Sequence, residues 1–330
     1  MTAPQRNLRR GQLCALAAMA IWGTNYIIGR ELRDALTPGT ISAFRALVAG
    51  VPVGLWTLGT GRWPAESRRF LGPLVGLGLL GIVASQYLTY LALHWSTATN
   101  VIILSAGSPL VNAVITILVG AAPFSPGLFR GLLISVAGAF LVTAFGGSAG
   151  PARIQADPGA LLVVASMVTW GFYNLGVQRL SLALSPLVVS SGAMLAGFPF
   201  LLAVVAIEHP PHLWASIAAH LPVLLYLAIG PSAIAYASWS VAVRDLGADY
   251  AMLFNNLLPV IGMILGGLIL HERVTIVQVA ASALIIAGIM AAFRSIPSMP
   301  ADRPPSSRGL EAAPDGAGRA TASAPARTRS

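Results

Sequence analysis

Apolar residues in this chain gather into long blocks separated by short polar gaps. Ten blocks can be read, at 11–30, 38–58, 70–93, 97–120, 128–146, 158–178, 186–207, 220–243, 248–270 and 275–293, with Arg, Asp, Pro or Gly in the gaps. Each block approaches the ~17–25 residues that a membrane-spanning helix needs. The pattern predicts an all-α integral membrane protein with ten transmembrane helices. The first block follows Arg6, Arg9 and Arg10 and contains the small-residue stretch Ala15 to Ala20, which could pass for a signal-peptide cleavage site. Too few apolar residues precede that stretch for a signal core, so an uncleaved first span is expected. From Arg294 the composition turns to Pro, Ser, Ala, Gly and Arg. Such a segment buries too little surface to offset its chain entropy, and a disordered tail over 294–330 is expected.

Composition agrees with this reading. Of 330 residues 56% are hydrophobic and 9% charged, against about 25% charged in a soluble domain. All 20 basic residues are arginine. Without lysine, a retinal Schiff base, a pyridoxal-phosphate linkage and a Walker-type loop are impossible. Cys14 is the only cysteine, which excludes internal disulfides and iron–sulfur sites. The net charge of +9 does not imply nucleic acid, because the arginines sit between apolar blocks and in the tail. With ten spans and a cytoplasmic N-terminus, the inside loops hold nine arginines and the outside loops four, tail excluded. The positive-inside rule then puts both termini in the cytoplasm. A multi-pass protein of the cell (inner) membrane is expected.

The chain also resembles itself. Pro109 matches Pro259, Gly138 matches Gly288, and Ala92 and Ala98 match Ala242 and Ala248, all at an offset of 150. At 148, Trp22-Gly23 matches Trp170-Gly171 and Pro38 matches Pro186. The expected halves are residues 1–146 and 158–293, joined by a linker at 147–157. An odd number of spans per half makes the second copy enter the membrane from the opposite side, giving two inverted five-helix repeats. Over almost its whole length the sequence resembles the drug/metabolite transporter superfamily, specifically the ten-helix EamA-type permeases. The resemblance is carried by Trp22-Gly23, Pro38 with Arg45, Pro109 and Gly138, and by Trp170-Gly171, Pro186, Leu257-Leu258-Pro259-Val260, His271-Glu272 and Gly288. It implies export of amino acids, other metabolites or drugs. One position departs: Ala122 stands where the resemblance leads one to expect an acid matching Glu272.

Polar and aromatic side chains within spans are the candidates for a substrate site, since a polar group in the membrane is costly unless it faces protein or water. The first span offers Trp22, Asn25 and Tyr26, and the sixth Trp170, Tyr173 and Asn174. In each helix an aromatic ring and an amide share one face. For the tryptophans, the cavity wall and an interfacial aromatic belt are both open readings. Gln86 and Tyr90 in span 3, Tyr236 and Trp239 in span 8, and Asn255 and Asn256 before Pro259 join the set. Serines and glycines such as Ser85, Ser105, Ser108 and Gly78 are expected to pack helices. Arg45 is the one arginine inside a span. It could bond helix carbonyls, pair with Glu272, or anchor a substrate carboxylate bidentately.

No Asp or Glu lies near the centre of a span, and each His sits at a span end or in a loop. No metal, cofactor or proton relay is therefore expected, and transport should follow the solute's own gradient. Intramembrane proteases and lipid transferases need acid clusters or a Gly-x-Ser-Gly nucleophile, and neither occurs. The chain reads as a secondary transporter, not an enzyme. It should export small metabolites, foremost hydrophobic or aromatic amino acids, by alternating access around a central aromatic and amide-lined cavity. Multidrug or nucleobase-type export, or a channel-like facilitator, is the alternative. Its partners should be a small-molecule substrate and the lipid bilayer, not nucleic acid, with the protein a monomer.

Overall fold

Four of the ten spans begin at a polar residue followed by proline. Thr37, Ser125, Asp157 and Ser185 each precede a proline, and each side chain accepts a hydrogen bond from the backbone N–H three residues on. Proline loses nothing at this first position, where its missing N–H has no partner to find, and the cap satisfies a second orphan donor. Thr275 and Gln278 form a full capping box at the last span. A computed structural model describes residues 3–63, 67–121, 124–145, 157–269 and 275–295. The expected tail beyond Ser295, nearly all of the expected linker, Ala122 and the His271-Glu272 pair lie outside those residues; Arg294 itself closes the last helix.

Among the described residues the chain is helical throughout. Span 1 is Ala3–Glu31, span 2 Pro38–Gly59, span 3 Arg68–Trp95 and span 4 the pair Ala98–Ser105 and Ser108–Leu118. Span 5 is Pro126–Ala144, span 6 Pro158–Leu180, span 7 Pro186–Glu208 and span 8 Leu221–Leu246. Span 9 runs through Ala248–Met252, a 3₁₀ segment Leu253–Leu257 and Leu258–Ile269, and span 10 is Ile276–Arg294. Eight of these are long and apolar enough to cross a membrane by length and composition. Span 1 has 29 residues, and span 9 adds a shorter apolar helix.

Four blocks that read as plain helices are interrupted. Spans 3 and 8 contain π-helical turns at Gly78–Ser85 and Ala228–Ile234, one repeat apart. Spans 4 and 9 break one turn before Pro109 and Pro259, where the missing N–H weakens the ladder. A short helix that the sequence did not predict, Leu213–Ala219, precedes span 8 and buries no residue.

Packing follows the repeat. Span 2 lies on span 7 and span 5 on span 10; span 1 packs on span 8 as span 6 does on span 3. Exchanging the two halves leaves that list unchanged, as a pseudo-twofold axis demands. Side-chain and backbone ties sort the span ends into two faces. On one face Arg10 at the start of span 1 pairs with Asp245 at the end of span 8 at 2.7 Å. There too Thr116 near the end of span 4 bonds Asp249 at the start of span 9, and Gln178 near the end of span 6 accepts from the Ala248 N–H. On the other face the Gly39 N–H at the start of span 2 donates to Glu208 at the end of span 7, and Ser96 after span 3 donates to Asp157 before span 6. Starts of odd spans and ends of even spans thus share one face, as two inverted five-helix repeats require.

The span 5–span 10 crossing is glycine-dependent. A Cβ on Gly138 would lie 2.8 Å from the Ala281 carbonyl oxygen, and one on Gly288 2.5 Å from the Ser135 nitrogen. Small residues of this kind let two backbones touch where no hydrophobic gradient drives helices together.

Candidate functional site

Spans 1, 2, 3, 4, 6, 8 and 9 enclose a cavity of about 110 Å³, room for roughly seven to eleven waters at the ~10–15 Å³ each needs. Trp22, Asn25, Arg45, Gln86, Tyr90, Trp170, Tyr236 and Asn255 all line it. Eight of the side chains singled out in the sequence therefore meet on one wall system. No carboxylate or histidine stands among the lining residues.

Arg45 is the charged element of this cavity. It lies seven residues into span 2, about 10 Å from the helix start at ~1.5 Å per residue, and only 2% of its surface is exposed. Its Nε donates to Ser232 Oγ at 2.8 Å and its Nη1 to Asn25 Oδ1 at 3.0 Å and to Tyr90 Oη. The geometry around Ser232 follows from Pro231. A proline there cannot supply the N–H that would reach the Leu227 carbonyl four residues back. The Ser232 hydroxyl donates to that carbonyl instead at 3.0 Å, so its lone pairs are left for the guanidinium. Three neutral side chains therefore hold the cation, and among the described residues it forms no ion pair. The carbonyl-bonded arrangement considered from sequence gives way to these side-chain partners, and the pairing with Glu272 lies outside the described residues. A buried charge without a counter-charge is costly, and an anion in the cavity would relieve that cost.

Trp22 and Trp170, one repeat apart, meet edge to face with ring centroids 5.6 Å apart, and Tyr236 stands edge-on to both. Trp22 Nε1 donates to the Pro231 carbonyl at 2.8 Å. The belt reading of these two tryptophans is corrected: they close the centre of the helix bundle, where the Trp22 N–H and the rings of both find partners.

Four expected lining residues stand behind the wall instead. Tyr173, Asn174, Trp239 and Asn256 have no exposed surface. Tyr173 stacks on Trp170 at 4.9 Å, and a Cβ on Gly81 would strike its ring. Asn174 donates to the Trp170 carbonyl and accepts from Trp239 Nε1 at 2.7 Å. Asn256 donates to Ser135 of span 5 at 2.8 Å, so the two amides before Pro259 face opposite ways. These four support the wall and do not touch the space. The Tyr26 side chain lies outside the described residues.

The sequence reading undervalued a hydroxyl cluster. Ser85, Thr89 and Ser166 line the cavity, with Thr89 and Ser166 hydroxyls 2.8 Å apart and Ser166 Oγ 2.9 Å from the Ser85 carbonyl oxygen. The signal was present in part: Ser166 lies four residues before Trp170, on the same helix face. Ser105 and Ser108, expected with Ser85 to pack helices, also line the cavity, and Met167 and Leu258 complete the lining; nothing distinguished these last two from other apolar residues. Among the described residues no three His, Cys, Asp or Glu side chains converge as a metal site would need.

Comparison with known proteins fits this architecture. Residues 9–144 and 157–294 each match the EamA-like transporter family. A transporter of Bacillus subtilis, YetK, itself uncharacterized, is 25% identical over 83% of this chain and 83% of its own length. A "probable amino-acid metabolite efflux pump" of Salmonella typhimurium is 24% identical over 85% of this chain and 94% of its own length. A protein of known crystal structure superposes with a TM-score of 0.67 at 19% identity, covering 86% of this chain and 96% of that one, which speaks to the fold alone. Two family matches, one in each half of a ten-span helical protein with a central cavity, leave one conclusion: the chain is a membrane transporter belonging to the EamA-like transporter family.

Proposed function

We propose that the protein exports small carboxylate-bearing metabolites, foremost amino acids with apolar or aromatic side chains, by alternating access around the central cavity. The observation that carries this reading is Arg45, a buried guanidinium on the cavity wall held by neutral partners only. A carboxylate from the substrate would supply the missing counter-charge, and the planar fork suits it bidentately. The rings of Trp22, Trp170 and Tyr236 beside it offer an apolar surface for a side chain. The name of the Salmonella relative points the same way.

The test is counterflow in proteoliposomes with a panel of amino acids and their carboxamides, which keep shape and lose the negative charge. Arg45→Lys should lower transport of the acids about tenfold or more, because the ammonium keeps the charge and loses the fork. Carboxamides should be transported poorly by the wild type and change little in the variant. Equal losses for acids and carboxamides would make Arg45 a structural residue and remove the main support for this reading.

A further inference from the structure

Two buried amide atoms on the cavity wall have no hydrogen-bond partner among the described residues: Nε2 of Gln86 and Oδ1 of Asn255. Each residue is only 9% exposed. Buried polar atoms are nearly always paired, and an unpaired one carries its desolvation cost in full. Both residues line the central cavity, so a small turn of either side chain would bring the unpaired atom to the space.

The neighbours fix which atom of each amide is left over. Tyr236 Oη donates to Gln86 Oε1 at 3.4 Å, so Gln86 retains a donor. Asn255 Nδ2 is turned to the Met252 sulfur at 3.6 Å, so Asn255 retains an acceptor. Their placement differs as well. Gln86 lies one helical turn from Tyr90, whose hydroxyl accepts from Arg45, and all three residues line the cavity. Asn255 belongs to the 3₁₀ segment of span 9, where the Leu258 N–H bonds the Asn255 carbonyl. Pro259 has no N–H to close the ordinary longer turn there, and this tightening divides Asn255 from Asn256.

From these two unpaired atoms we infer that the site reads both ends of a zwitterion, with Gln86 Nε2 beside Arg45 as a second donor to the carboxylate and Asn255 Oδ1 as acceptor for an ammonium. The substrate class is then the α-amino acids, with both charges on one carbon. This inference rests on the export reading above and adds the amine to it. A neutral acceptor suits the task. An aspartate at 255 would compete with the substrate carboxylate for Arg45, whereas an amide oxygen with the faces of Trp22, Trp170 and Tyr236 favours a cation without adding negative charge. Discrimination follows from both signs: an oxo acid leaves Asn255 unpaired, and an amine leaves Arg45 and Gln86 unpaired.

Three probes share one side chain and differ only in these groups: L-leucine, its 2-oxo acid, and 3-methylbutylamine. Their affinities for the full-length protein in proteoliposomes are measured by competition, with thermal unfolding followed for each variant. Wild type should prefer leucine over each of the other two by about tenfold or more. Asn255→Leu should cut the leucine-to-oxo-acid affinity ratio about tenfold, and Gln86→Leu the leucine-to-amine ratio by a similar factor. Asn255→Asp, which keeps the acceptor, should raise the amine relative to the oxo acid. Unchanged ratios in the Asn255 variants overturn the ammonium assignment while leaving the export reading in place. A wild type that binds none of the three probes, or an Arg45→Lys variant that loses acids and carboxamides equally, brings down the export reading itself.

Discussion

Trp22 and Trp239 have ring centroids 5.4 Å apart, yet substitutions at the two should fail differently. Trp239 has no exposed surface, and its indole N–H satisfies Asn174. Trp239→Ala leaves a cavity and an orphaned amide, a loss of about 3–5 kcal/mol. It should lower the thermal midpoint and the folded yield. Trp22 and Trp170 are half-buried and face the space, so their alanine variants should stay folded and lose most transport per folded molecule. If those two variants lose only yield, the rings are packing elements. The pair was legible in the sequence because Trp-Gly recurs at the repeat offset. That Tyr173, Asn174 and Trp239 stand one layer back was not, because a helix apolar on all sides carries no mark of which face meets a cavity. Arg45 was legible as an isolated charge in a span, but its partners Ser232, Asn25 and Tyr90 arise from three other spans and from a proline effect that shows only after folding.

At the scale of helices, the crossing of spans 5 and 10 tests the packing. Gly138→Ala or Gly288→Ala would press a methyl against backbone atoms under 3 Å away, and backbone cannot swing aside as a side chain can. Either should destabilise the protein by about 1–3 kcal/mol, read as a fall in the thermal midpoint in detergent. Gly76→Ala in span 3, where a Cβ meets nothing within 4 Å, should be neutral or mildly stabilising by helix propensity. A Gly76 variant as damaged as the Gly288 one would refute the crossing argument. The block starts at 38, 158 and 186 coincide with helix starts at Thr-Pro, Asp-Pro and Ser-Pro pairs, while the block at 128 begins two residues after its helix at Pro126. The interruptions in spans 3, 4, 8 and 9 were not, since π and 3₁₀ turns shift hydrogen bonds without altering composition.

For the whole molecule, ten spans return the chain to the face where it began, and the loops on that face hold nine arginines against four on the other. The expected topology has both termini in the cytoplasm. Reporter fusions at Ala149 and Ser330 measure this: the first should report the outside and the second the cytoplasm. A cytoplasmic signal at Ala149 would refute the orientation. The inverted repeat was visible in the sequence from prolines and glycines, because those residues recur where the backbone, not the side chain, sets the requirement.

The π-turns give the molecule a chronology. A π-turn is a one-residue insertion in a helix, and here it sits at Gly78–Ser85 and again one repeat later at Ala228–Ile234. Inheritance from a common half-length ancestor accounts for both copies at once, so the wide turns predate the duplication, as do the breaks before Pro109 and Pro259. Arg45, Pro231 and Ser232 have Ala193, Gly81 and Ile82 at the matching positions, so none of the three is shared by the halves. The frame that encloses the cavity is common to both halves, and the charge that faces it is where their symmetry ends.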